Sequence, residues 1–121
     1  MNYLLFIWAD GMPAPDELAV LQREIPGWVE EMDRRGVRLL GRELDLPETA
    51  ATVRVRDGKR LVTDGPFAET REQVAGYTLI EAKDRDEAIA IAADFLGPNA
   101  QALSVVIEVR AVAEVKGVPT N

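Results

Sequence analysis

The chain opens on YLLFIW (3–8), a run with an apolar residue at every position. A short continuous run of bulky apolar residues predicts a strand covered on both faces. Ala9-Asp10-Gly11 ends it, and Pro13 and Pro15 stiffen the loop beyond. The period then changes. Leu18, Leu21, Ile25, Trp28, Val29 and Met32 recur at helical spacing, with Asp16 as the expected N-cap and Gly36 suited to the C-terminus. Pro26-Gly27 lies inside that pattern. Proline removes a backbone donor and disfavours helix at the residue before it, so a kink or two abutting helices are expected.

Residues 37–44 (VRLLGREL) read as a second strand. TVRVR and KRLVT then alternate on either side of Asp57-Gly58, a tight-hairpin signature because both central positions want φ > 0. This places Asp64 at the far end of the outgoing strand, where Gly65-Pro66 breaks the ladder. A further strand is predicted at 73–81. Asp84 and Glu87 stand at capping-box spacing before a helix over 88–96, which Gly97-Pro98 closes. The last strand, 103–112, puts Leu103, Val105, Ile107, Val109 and Ala111 on one face and Ser104, Val106, Glu108, Arg110 and Val112 on the other.

The order strand, helix, strand, hairpin, strand, helix, strand predicts an α+β layer of helices on one sheet face. A single domain spans 1–112, and residues 113–121 are expected to form a loose or partner-grasping tail. Two helices cover one face of the sheet, yet the first strand is apolar on both. An open apolar sheet face invites association, so a homodimer packed sheet to sheet is predicted.

Composition narrows the chemistry. The 121 residues are 47% apolar and 29% charged, ordinary for one soluble domain. A net charge of −7 with scattered basic residues argues against nucleic acid as a partner. There is no cysteine, which excludes disulfides, thiolate catalysis and Cys-based metal sites. There is no histidine either, so the usual acid/base group near neutral pH and the commonest metal ligand are both missing. Chemistry must rest on carboxylates, Tyr, Arg, Lys or hydroxyls, and no cofactor is implied. The opening run is too short for a membrane span or a signal-peptide core, so no membrane association and a cytoplasmic location are expected.

Asp64-Gly65-Pro66-Phe67-Ala68-Glu69-Thr70, followed by Arg71-Glu72, resembles the signature of the DGPF (DGPFAETKE) proteins, a branch of the YCII-related superfamily. Arg71 is the one departure, standing where the signature has Lys. The YLLFIW opening, Gly36-Val37, the Pro47–Ala50 stretch, Ala75-Gly76-Tyr77 and the Ile107–Arg110 stretch support the likeness along almost the whole chain. The resemblance implies a ferredoxin-like α+β fold forming a dimeric α/β barrel, with a cleft between sheet and helices. It also implies a His–Asp dyad whose acid maps onto Asp64; the histidine has no counterpart here. Similar proteins include some encoded beside, or fused to, extracytoplasmic-function sigma factors.

Asp64 has two readings. Its carboxylate closes the following turn by accepting backbone N–H bonds, or it faces a partly apolar cleft as a general base or a holder of a hydroxyl or amine. Glu43 is the second candidate catalytic acid, against a plain solvent-facing strand residue. Trp8, Phe67 and Tyr77 are candidate substrate-binding aromatics, against core or rim packing. Glu69 to Glu72 read most simply as a solvated turn, and Arg71 or Arg42 as an anion clamp has no support in the pattern. Two functions from different classes fit these residues. One is a small-molecule cleft centred on Asp64, with or without turnover. The other is a regulatory module contacting a protein partner such as a sigma factor.

Overall fold

In chain order the elements are β1 (Asn2–Asp10), α1 (Pro15–Arg34), β2 (Arg38–Glu43), β3 (Ala51–Arg56), β4 (Lys59–Asp64), β5 (Glu72–Glu81), α2 (Arg85–Leu96) and β6 (Val105–Ala111), with a 3₁₀ turn at Pro47–Thr49. The structure is a computed structural model that describes residues 1–10, 14–68, 70–97 and 104–119. Expectations placed on Gly11, Pro13, Glu69, Pro98, Leu103, Thr120 and Asn121 lie outside these residues.

The apolar opening run becomes an inner strand, as its pattern demands. β1 lies between β5 and β6 in a four-stranded sheet ordered β2-β5-β1-β6, and every pairing is antiparallel. β3 and β4 form a separate two-stranded sheet inserted between β2 and β5. This α+β arrangement is compatible with a ferredoxin-like fold.

Alternate residues of β1 settle where the helices go. Tyr3 and Leu5 join Ile80, Ala82, Trp28, Met32, Ala88, Ile91, Ala92 and Phe95 in a single buried cluster. Both helices therefore cover the same face of the sheet. Trp28 and Phe95 meet edge to face at 5.1 Å, and the Trp28 indole N–H donates to the Ile91 carbonyl at 3.2 Å. That bond satisfies the one polar atom the indole carries into the core.

One local expectation for α1 is narrowed and another corrected. Of the two alternatives at Pro26, a kink or two abutting helices, the second is excluded, because a single helix runs through it. Pro26 is exposed, so the carbonyl it fails to bond can reach water. The N-cap is Ala14 rather than Asp16, with Pro15 opening the helix where a missing N–H is harmless. Asp16 and Glu17 fall in the first turn, where their charge suits the helix dipole.

For α2 the Asp84 half of the capping box forms, while Glu87 reaches one residue beyond the cap, to Lys83. The Glu87 N–H donates to Asp84 Oδ1 at 2.8 Å, and Glu87 Oε1 accepts from the Lys83 N–H at 3.3 Å. Asp84→Ala should lower stability by about 1 kcal/mol, read as an earlier midpoint in urea. An unchanged midpoint would show that the cap is idle. Among the described residues no helix is long and apolar enough to cross a membrane.

Candidate functional site

The hairpin forms as its sequence predicts, with Asp57 at φ 53° and Gly58 at φ 74°. Its ladder closes on the pair Ala51 and Asp64. The motif turn follows at once, where Gly65 adopts φ 100°, a backbone region that side chains disfavour. The Gly65 N–H donates to the Ala50 carbonyl at 2.7 Å, and the Thr52 hydroxyl donates to the Gly65 carbonyl at 2.9 Å. The turn is thus closed by backbone and by Thr52. The Asp64 side chain is exposed, and it has no hydrogen-bond partner among the described residues.

Beyond the turn, Phe67 is 74% exposed, with the Arg54 guanidinium 5.0 Å above its ring. That stacking is worth about 0.5–1 kcal/mol at an exposed site. The loop is then hooked onto β5, because Gln73 Nε2 donates to the carbonyls of Ala68 at 2.7 Å and Thr70 at 2.9 Å. Arg71 reaches across to Asp10 at the end of β1, at 2.6 Å. The motif's basic residue therefore ties the loop to the sheet.

Residues opposite one another in a ladder share a face. Phe6 opposes Tyr77 and Glu108, Leu4 opposes Leu79 and Arg110, and Trp8 opposes Val106. On β2, Leu40 opposes Leu79 and Arg42 opposes Tyr77. All of these lie on the face turned away from the helices. There the Trp8 indole N–H donates to Glu108 Oε1 at 3.2 Å, and Arg110 Nη1 approaches Glu108 Oε2 at 3.5 Å. The result is an apolar floor crossed by a polar chain of indole, carboxylate and guanidinium.

The structure brings Trp8 and Tyr77 onto this open face. Asp64 and Phe67 are carried by the hairpin base and its loop, which rejoins the sheet at the end of β5 where Trp8 pairs. Glu43 is not brought to the same face. It opposes Gly76, whose other neighbour, Ile7, packs against the core, so its position belongs to the helix side. Sequence reasoning passed over Glu108 as a site residue and named Arg42 only as an unsupported anion clamp. The signal for Glu108 was an acid on the second face of a largely apolar strand, but its indole partner lies far away along the chain.

A cavity of about 310 Å³ opens at this end of the sheet, lined among the described residues by Asp10, Arg71, Glu72, Ser104, Val105 and Val106. A larger one of about 520 Å³ lies between α1 and α2, and neither cavity is lined by Asp64, Glu43, Trp8, Phe67 or Tyr77. Among the described residues no three acidic side chains gather closely enough to share a metal ion.

The YCII-related domain profile matches residues 1–116. A stretch of 55 residues is 47% identical to an uncharacterized protein of Rhizobium meliloti (strain 1021). The match spans 45% of this chain and 44% of that protein, less than half of either.

Proposed function

The chain belongs to the YCII-related domain family, and from that premise we propose a homodimeric small-molecule-binding protein of the DGPF branch. Two sheets packed face to face complete an α/β barrel and enclose a cleft. Trp8, Phe6 and Tyr77 supply its apolar wall, and Asp64 holds a hydroxyl or amine of the ligand or takes a proton from it. One observation carries this reading. The acid that opens the turn is not spent on the turn, since backbone and Thr52 close it and the Asp64 carboxylate is left over.

A panel of metabolites tested by thermal unfolding is the direct check. A ligand at about 100-fold its Kd adds roughly 2.7 kcal/mol to the folded state, an upward shift that is easily seen. Asp64→Asn should unfold at the same temperature as wild type without ligand and lose the shift with it. A variant that keeps the full shift would remove Asp64 from the site.

A second reading, a protein-interaction module, draws on the C-terminal segment, where Val115 and Val118 are exposed. If it holds, deleting residues 113–121 should abolish recovery of a protein partner such as a sigma factor from the native host. Recovery of the same proteins with and without the segment would end that reading.

A further inference from the structure

The β3–β4 hairpin stands clear of the main sheet. All of β4 is exposed, and so is all of β3 except Thr52. Its register sorts the side chains onto two faces. Val53 opposes Val62 and Val55 opposes Arg60 on one face, while Arg54 opposes Leu61 and Arg56 opposes Lys59 on the other. Val53, Val55 and Val62 are 62%, 74% and 59% exposed, an apolar strip along a sheet of only two strands. A lone hairpin is marginal in water, and such a strip is a place for a partner.

Charge indicates which partner. Residues 51–64 carry Arg54, Arg56, Lys59 and Arg60 against Asp57 and Asp64, an excess of two positive charges. The whole chain stands at −7, which leaves −9 for the remainder. Among the described residues none of the four basic side chains is in an ion pair. A basic arm on an acidic body is complementary to a second copy of the same chain, because each copy offers what the other lacks.

We propose that this hairpin is an arm that clasps a second copy of the chain. It lays the face of Val53, Val55, Val62 and Arg60 on the partner, with Arg60 against the partner's acidic surface, while Arg56 and Lys59 leave the opposite face beside the Asp57-Gly58 turn and add their charge at the arm's tip. The inference rests on the homodimer reading above and adds the element that secures the dimer. Arg54 stays with Phe67 in its own chain, so the arm keeps a fixed root.

Sedimentation velocity over a range of concentrations tests it, with wild type, Val53→Asn/Val62→Asn and Arg56→Glu/Lys59→Glu. All four positions are exposed, so the circular dichroism spectrum should match wild type. Each variant is expected to weaken dimerisation at least about tenfold, or 1.4 kcal/mol. Raising the salt should weaken the wild-type dimer more than the charge-reversed one. A wild type that stays monomeric at every concentration would overturn both the dimer and the arm. Variants that dimerise as tightly as wild type would overturn the arm alone and leave the sheet-to-sheet dimer standing. A wild type that retains a labelled oligonucleotide, with Arg56→Glu/Lys59→Glu losing that retention but not dimerisation, would assign the arm to nucleic acid and overturn the proposal.

Discussion

Trp28→Ala is expected to cost about 3–5 kcal/mol of folding stability, the largest effect of any single change considered. The residue is 6% exposed and joins both helices to the sheet. Its removal deletes the edge-to-face contact with Phe95 and the bond to the Ile91 carbonyl, and it leaves a cavity that the strand framework cannot close. Domains of this size hold only about 5–15 kcal/mol in total, so the variant should lie close to the edge of folding. Urea unfolding followed by tryptophan fluorescence and circular dichroism measures the loss, and Trp8 remains as the optical probe. Trp28→Phe, which keeps a ring against Phe95 and removes only the indole donor, should cost distinctly less. If Trp28→Ala lost under 1 kcal/mol, the helix layer would not be anchored as described.

The second large effect is expected at Gly76, where space rather than backbone freedom is limiting. A Cβ built there would lie 2.9 Å from the Arg42 carbonyl oxygen and 3.5 Å from the Glu43 Cα. Both are backbone atoms of the paired strand, so a methyl group has no flexible side chain to push aside. Gly76→Ala should therefore prise β2 from β5 beside Tyr77 and cost about 1–3 kcal/mol, in the manner of an overpacked core. Ligand-induced stabilisation should fall with it, because Arg42 and Tyr77 form the neighbouring rung. Gly27→Ala is the natural control. It lies inside α1 with nothing within 4 Å of the added atom, and it should stabilise by about 0.4–1 kcal/mol. Equal effects at the two glycines would mean that β2 and β5 do not approach as closely as the register implies.

Much of the fold is legible because its signals are local. Asp57-Gly58 needs two positive φ angles and has them, and Asp84 caps, through the Glu87 N–H, the helix that their spacing announces. The start of α1 misleads for an equally local reason. An acid near a helix start can serve as cap or sit in the first turn, and Pro15 takes the opening position here. The candidate site was less legible. In YLLFIW both faces are apolar, so the alternation cannot say which one receives the helices, and only the burial of Tyr3 and Leu5 decides it. Once that is known, Trp8 and Tyr77 fall together on the open face while Glu43 falls away from it. Glu108 completes the indole bond through a pairing across two ends of the chain, which no window along the sequence contains.

The position of β1 between β5 and β6 also sets the order of events as the protein is made. Tyr3 pairs with Ile80 and with Ala111, so β1 leaves the ribosome well before β6, the partner it waits for. At about 5–20 residues per second that interval is on the order of ten seconds. The β3–β4 hairpin can close within microseconds, but it lies outside the core and nucleates none of it. Pairings this distant in sequence predict slow refolding for a chain of this length. Until β6 arrives, YLLFIW is an apolar strand with one edge bare. Chains ending before residue 105 should therefore accumulate in the insoluble fraction, whereas chains carried through Ala111 should not.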